Sequence, residues 1–202
     1  MRLLGAALAL AAAGCQHDYR RESRLIAPPA PERAGEVLDR RREYFDREAT
    51  RPKREWRELI LPDGSKLAHG KRNEWYEDGS PAAEREFERG EPCGRWVTWY
   101  RSGVKRFEYV FDAARPTVMS WWHENGQLSS QGGALQAVRV GPWTSWYPSG
   151  AKESQGSYAG GKRDGEWSFW EEDGTLAARG TYRMGVKIGE WERADALQGS
   201  AR

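Results

Sequence analysis

The sequence predicts an all-β protein, an elongated antiparallel meander of stacked β-hairpins with about five to six repeats of about 24 residues. Five segments close on a glycine that follows Asp, Asn or Ser, and the steps between these glycines are 24, 23, 24 and 24 residues. Each segment carries Trp four places before that glycine. The 11 Trp, 8 Tyr and 23 Gly, with few Leu, Ile and Val, favour short strands and turns over a thick layered core.

Residues 1–14 are predicted to be a lipoprotein signal peptide. Arg2 precedes about a dozen apolar residues, a stretch too short for a spanning helix. The run Ala12-Ala13-Gly14-Cys15 resembles a bacterial lipobox, with Ala12 in place of the usual Leu. That resemblance implies cleavage before Cys15 and lipidation of Cys15. The alternative is a buried N-terminal helix.

Residues 15–55, the lipidated Cys and a charged segment, are predicted to form a tether. They are rich in Arg, Glu, Ala and Pro, a composition that argues against a packed core. Within them a short helix is predicted over residues 36–49, because Val37, Leu38, Tyr44 and Phe45 would fall near one helix face. A flexible tether of roughly 40 residues spans roughly 35 Å.

Residues 56–192 are predicted to form the repeat domain, followed by a disordered tail at 193–202. The first unit, residues 56–71, is a degenerate hairpin in which Ile60 replaces Trp, as expected for a terminal repeat that caps the array. Each later copy predicts two strands, for example residues 95–100 and 104–111, joined at a turn. A second turn links each hairpin to the next.

The closing glycines are predicted to sit in left-handed turns. A type I turn followed by a left-handed residue favours Pro, then Asp, Asn or Ser, then Gly. A β-carbon at the glycine should cost about 1–2 kcal/mol. The glycines concerned are Gly64, Gly79, Gly103, Gly126, Gly150 and Gly174.

Strand alternation predicts two aromatic stripes, one on each face of the sheet. Each stripe is expected to stack as a cross-strand ladder. One stripe holds Trp75, Trp99, Trp122, Trp146 and Trp170, and the other holds Trp96, Trp143, Trp167 and Trp191. The third copy departs from the pattern, with Thr117 for the opening glycine and an unusual Gly132-Gly133 pair. The sheet is expected to be weakest or bulged there.

The unit G-x-W-x-x-W-Y-x-x-[DNS]-G, followed by an aromatic residue and G-x-x-x-G, resembles the bacterial variant of the MORN repeat and the repeats of YwqK-type antitoxins. The resemblance covers residue 70 to about residue 191. It implies a stacked hairpin meander and a binding or scaffolding role without catalysis. It specifies no ligand. An antitoxin acts where its toxin is made, which fits poorly with an exported protein.

Two motifs that resemble catalytic signatures have simpler explanations. Residues 156–162 fit G-x-x-x-x-G-K, but Arg163 replaces the Ser or Thr that a P-loop uses to hold magnesium. Ser102 and Ser149 each begin S-x-x-K, but S-D-N and K-T-G partners are missing from the sequence. The repeat pattern accounts for both, so the chain is predicted not to be an enzyme.

No cofactor, metal or nucleic acid is expected. The three histidines lack zinc-ligand spacing, and the formal net charge is only +2. The expected function is a lipid-anchored cell-envelope scaffold that binds a protein partner, with the membrane reached through Cys15. The expected location is a bacterial membrane, most simply the periplasmic side or the surface of the outer membrane. The alternatives are carbohydrate or lipid recognition by the aromatic stripes, or an antitoxin-type or immunity-type protein.

The candidate binding surface follows from the same pattern. Aromatic side chains dominate interaction hot spots, and copies that differ from the consensus are where a ligand would be distinguished. The candidate residues are Trp99, Trp121, Trp122, His123, Trp146 and Trp170.

Overall fold

A computed structural model describes residue 33 and residues 35–193. The predicted signal peptide (1–14), the lipidation site Cys15 and residues 16–32 lie outside the described residues, as do residues 194–202 of the predicted tail. Within the described residues, no helix has the length and apolarity that a membrane span requires.

The described chain forms one open antiparallel sheet, which confirms the predicted fold class. It contains 14 strands, and successive strands pair in chain order except that β2 pairs with both β3 and β4. The strands are β1 (Val37–Tyr44), β2 (Pro52–Ile60), β3 (Lys66–Ala68), β4 (Gly70–Trp75), β5 (Pro81–Glu88), β6 (Glu91–Trp99), β7 (Lys105–Phe111), β8 (Thr117–Trp122), β9 (Leu128–Leu135), β10 (Val138–Trp146), β11 (Lys152–Ala159), β12 (Lys162–Trp170), β13 (Leu176–Arg183) and β14 (Val186–Arg193).

The helix predicted over residues 36–49 is wrong, because β1 occupies most of that segment. β1 pairs antiparallel with β2 along its whole length, so the sheet begins well before Trp56. Glu55 of β2 accepts from Arg40 at 2.6 Å and from Arg42 at 2.6 Å. These partners come from another strand, and the local periodicity of residues 36–49 carries no sign of them. At the other end, the last described strand, β14, runs to Arg193, which is the last residue that the structure describes.

Two kinds of turn alternate along the chain. The six closing glycines all have φ between 82° and 87°, as their turn chemistry predicts. The amide of Gly150, for example, donates to the carbonyl of Tyr147 at 2.9 Å. Four link turns have two residues, both with positive φ, which is the type I′ hairpin geometry. Their central pairs are Arg89-Gly90, Gln136-Ala137, Gly160-Gly161 and Met184-Gly185.

The two faces of the sheet are packed differently. The ring face carries Trp96, Trp143, Trp167 and Trp191, and the stripe face carries Trp75, Trp99, Trp122, Trp146 and Trp170. The buried cluster of Tyr109, Met119, Ala134 and Trp143 lies on the ring face. The cluster therefore lies on one side of the sheet, although Val97, which is also fully buried, lies on the stripe face.

Candidate functional site

Each large indole of the C-terminal repeats lies over a glycine of the preceding strand. A β-carbon on Gly132 would lie 2.4 Å from Trp143, and one on Gly156 would lie 2.2 Å from Trp167. Gly180 holds the same relation to Trp191, at 2.4 Å. The glycine stands eleven residues before its Trp in every case. These three glycines, which we call the seat glycines, leave room for the ring.

The expected bulge in the third copy is present, between Val140 and Trp143 where β9 meets β10. The β11–β12 and β13–β14 pairs shift register at the corresponding place, so the bulge is a regular feature of these repeats and does not belong to the third copy alone. Gly132 is thus a seat glycine and no local defect.

The ring face forms the expected aromatic ladder. Trp143 contacts Tyr158 at 5.9 Å between ring centroids, and Tyr158 contacts Trp167 at 5.2 Å. The indole N–H of Trp143 donates to Gly133 O at 2.8 Å, and that of Trp167 donates to Ser157 O at 3.0 Å. Trp143 is 3% exposed and Trp167 2% exposed. These rings are structural and offer no open surface to a ligand.

The stripe face does not form the expected ladder. Among the described residues, no ring contact joins two members of this stripe. Lys105 lies 4.9 Å from the ring of Trp122, and Lys152 lies 5.1 Å from that of Trp170. Consecutive stripe tryptophans are two strands apart, about 10 Å, so a residue of the intervening strand fills the gap. The filling residues are Pro81, Lys105, Leu128, Lys152 and Leu176.

A second regular contact joins neighbouring repeats at the closing turns. The hydroxyl of Tyr100 donates to Trp122 O at 2.9 Å, and that of Tyr147 donates to Trp170 O at 2.9 Å. Tyr76 makes the same bond to Trp99 O at 2.8 Å. His123 takes the Tyr position in its copy, with Nε2 2.8 Å from the carbonyl of Trp146. Its ring nitrogen donates there, so His123 preserves the contact.

The structure separates the predicted site residues into different places. Trp121 lies on the ring face between Phe107 and Trp143, at 4.9 and 5.7 Å. His123 belongs to a closing turn. The other four, Trp99, Trp122, Trp146 and Trp170, lie on the stripe face, and all six are half-buried. They do not form a single cluster.

A row of cations on the ring face was missed by the sequence reasoning. Arg139, Arg163 and Lys187 follow one another at steps of 24 residues, which is the signal that could have revealed them. Arg139 lies 4.5 Å from the ring of Trp143, and Arg163 lies 4.5 Å from that of Trp167. Lys187 lies 4.2 Å from the ring of Trp191. We call these three residues the cation row.

The cation row differs from the N-terminal part of the same face. There, Glu74 accepts from both Arg72 and Arg85, at 2.9 and 3.0 Å. In the cation row, Arg139 and Arg163 donate to the hydroxyls of Tyr158 and Tyr182, at 3.1 and 3.2 Å. Across the described chain, no member of the row forms an ion pair with a carboxylate. Their positive charge is therefore not neutralised within the described sheet.

The row ends at β14, the last strand of the sheet. Among the described residues, no strand pairs with the outer edge of β14. Val186 on this strand is 66% exposed. Trp96, Trp143 and Trp167 donate their indole N–H groups to carbonyls of the preceding strand, whereas the indole N–H of Trp191 is buried without an acceptor. The outer edge of β14 thus combines unpaired backbone with an exposed apolar side chain.

The two catalytic look-alikes have structural roles. Gly156 is a seat glycine, and Lys152 packs on Trp170. In the part of the chain that the structure describes, no cluster of three or more His, Cys, Asp or Glu side chains has an arrangement that could hold a metal ion.

Comparison with known families supports the repeat class. Residues 139–159 and 163–184 match the MORN repeat variant, so the chain carries MORN-type repeats. A search of curated proteins found no match. The two matched segments begin at Arg139 and Arg163, so they cover two consecutive repeats with two members of the cation row.

Proposed function

We propose that the protein is a lipid-anchored cell-envelope scaffold that binds another polypeptide at the free edge of β14. MORN repeats are consistent with a protein-interaction scaffold. The observation that carries the proposal is the unpaired outer edge of β14 in the described sheet. An unpaired edge presents a row of backbone N–H and C=O groups that an added strand can satisfy.

The anchor is proposed from the sequence. A signal peptide ending at Cys15 would place lipid at the start of the mature chain, and residues 16–32 would separate it from the first described residues. Stable anchoring takes two lipid signals, and the lipobox resemblance implies lipid on both the sulfur and the new amino group of Cys15.

The burial of the aromatic rings weighs against sugar recognition by the stripes. Stacking on a sugar needs an open ring face, and the rings of Trp143 and Trp167 are covered. The tryptophans of the stripe face are half-buried and have lysine, leucine or proline between them. The backbone edge is the better-supported binding element.

Site-specific photocrosslinking tests the edge. A photoreactive residue at Val186 should give one discrete crosslinked product in cells, because this side chain borders the free strand. The matched control is Val118 on the interior strand β8, which is 59% exposed against 66% for Val186. Equal products from both positions, or none from Val186, would contradict edge binding.

Fractionation tests the anchor. The wild-type chain should be processed and recovered with membranes, and Cys15→Ser should be recovered unprocessed or released. If the wild type remains cytosolic and full length, the lipid anchor and the envelope location both fail.

A further inference from the structure

We propose that the segment bound at β14 is an extended acidic strand whose carboxylates lie on the ring face. This inference rests on the proposed edge binding and adds the chemistry of the partner. It follows from the charges that β14 and β12, which lies two strands away, present on that face.

The register of β14 determines which side chains an added strand would meet. Lys187 lies opposite Tyr182 and Arg193 lies opposite Ala178, so both cations belong to the ring face. Val186 and Ile188 lie opposite Arg183 and Thr181, on the stripe face. A strand beside β14 would therefore face cations on one side and aliphatic groups on the other.

Within the described chain, the ring-face cations of β12 and β14 lack carboxylate partners. Lys187 packs on Trp191, Arg163 packs on Trp167 one repeat earlier, and no ion pair neutralises either within the described chain. On β14 itself, Glu192 is bound to Arg179 at 2.8 Å on the other face. Glu190 lies in the bulge between Ile188 and Trp191. Added carboxylates on the ring face would supply the missing counter-charge.

The edge favours a polypeptide over other anions. A glycan or a lipid headgroup could satisfy the cations but offers no backbone to pair with β14. An added strand can satisfy both the cations and the unpaired backbone groups. Alternation along a strand then predicts acidic residues at every second position, with apolar or β-branched residues between them.

The occupant is a separate partner and not another part of this protein. Pairing β14 with β14 of a second copy would bring the cations of one ring face beside those of the other, which opposes self-association. Residues 194–202 contain one Asp and one Arg, and residues 16–32 contain three acidic residues and three Arg. Neither terminal segment is net acidic.

Three fluorescent nine-residue peptides test the proposal by anisotropy on the purified chain. The first alternates Glu and Thr, the second Gln and Thr, and the third Lys and Thr, so that only the charge on one face changes. We expect the Glu peptide to bind at least fivefold more tightly than the Gln peptide, and the Lys peptide to bind most weakly. Raising the salt concentration should reduce the difference, since exposed charge pairs are screened.

A matched pair of charge reversals locates the site. Lys187→Glu should weaken the Glu peptide at least fivefold and strengthen the Lys peptide. Lys162→Glu reverses the charge of another exposed lysine, which lies on the stripe face of β12 opposite Ala159. It should change the affinity for the Glu peptide and for the Lys peptide by no more than about twofold. Thermal unfolding of both variants confirms that they remain folded.

Each other outcome overturns the acidic-strand proposal in an identifiable way. Equal binding of the Glu and Gln peptides would leave edge binding intact and remove the acidic preference. Binding of anionic phosphatidylglycerol vesicles or heparin, lost in Lys187→Glu, without peptide binding would assign the cations to a lipid or glycan. Dimerisation that Lys187→Glu abolishes, seen by analytical ultracentrifugation, would assign the edge to a second copy. Loss of the Val186 crosslink in cells would instead refute the proposed function.

Discussion

Gly156 and Gly174 require glycine for different physical reasons. Gly156 has ordinary strand φ, but a β-carbon there would lie 2.2 Å from the ring of Trp167. Gly174 has open space around it and φ of 86°. The first position is limited by packing between strands, and the second by backbone conformation.

We predict that Gly156→Ala lowers the free energy of unfolding by about 1–3 kcal/mol through overpacking. Gly174→Ala should lower it by about 1 kcal/mol, from left-handed strain partly offset in the unfolded chain. Urea denaturation gives both values.

Asparagine distinguishes the two mechanisms, because it tolerates the left-handed region. Gly174→Asn should recover most of the unfolding free energy that Gly174→Ala loses. Gly156→Asn should be less stable than Gly156→Ala, because its side chain is larger. Wild-type stability of Gly156→Ala would show that the indole has room to move and that the seat is not required.

The glycine seat belongs to the last three ring-face tryptophans and not to every copy. Trp96 also carries an indole, but the residue eleven places before it is Arg85, whose guanidinium lies 5.7 Å from the Trp96 ring. In the third copy Met119 takes the Trp position and pairs with Tyr109. Among the described strands, glycine and indole therefore meet at the β9–β10, β11–β12 and β13–β14 contacts.

At the scale of elements, an ion pair between residues distant in sequence joins the start of β1 to the turn between β5 and β6, in addition to the pairing of β1 with β2. Arg89 donates to both carboxylate oxygens of Glu36, at 2.7 and 2.9 Å, across 53 residues of chain. The bond to Arg89, assisted by the amide of Arg33, lowers the pKa of Glu36 from 4.5 to about 2. The ionised carboxylate is thus favoured in the folded state.

We predict that this clamp makes folding pH-dependent in the acid range. Because the folded pKa is the lower one, the contribution of Glu36 is complete above about pH 4.5 and is lost as the pH falls towards 2. Glu36→Gln should therefore be less stable than wild type at pH 7, and the difference should shrink on acidification. Chemical denaturation from pH 7 to pH 2.5 measures it.

The exposed Glu48 provides the control for the clamp. Glu48→Gln should show the same dependence of stability on pH as the wild type, because the described structure gives the Glu48 side chain no ion pair or hydrogen bond. A constant stability difference between Glu36→Gln and wild type at every pH would show that the side chain acts through packing and not through its charge.

At the scale of the whole molecule, the sheet is a linear array. Each described strand pairs with its sequence neighbours, apart from the joint pairing of β3 and β4 with β2. Stability in such an array is approximately a sum of repeat and nearest-neighbour contributions. The protein should therefore still fold when a whole repeat is deleted, but not when a fraction of a repeat is deleted.

We predict that deleting residues 142–165 leaves a folded protein. The deletion removes 24 residues and joins Gly141 to Glu166, which restores the opening G-E-W pattern and brings Trp167 over Gly132. Far-ultraviolet circular dichroism and a cooperative but less stable urea transition are expected. Deleting only residues 142–153 removes half a unit, reverses the strand direction and should abolish cooperative unfolding. If both deletions behave alike, the repeats are not independent units.

Much of the repeat domain could be predicted from sequence because its signals are local. The Pro148-Ser149-Gly150 turn and the alternation of residues 95–100 depend on neighbours within a few positions. The binding residues were harder to predict than the fold. The repeat period marks Trp143 and Trp146 equally, and it does not indicate which of the two rings is exposed to solvent. The cation row could have been found by the same period, since its members recur at 24 residues.

The sequence by itself determined the period, the turn positions and the two-face alternation, since backbone conformation at Gly150 or Gly174 is a property of a few adjacent residues. Tertiary structure decided the rest. It made residues 37–44 a strand, because their ion-pair partners belong to β2. It placed Trp167 over Gly156 and put Lys105 between stripe tryptophans. Those outcomes depend on which strands become neighbours, and these contacts exist only once the sheet has formed.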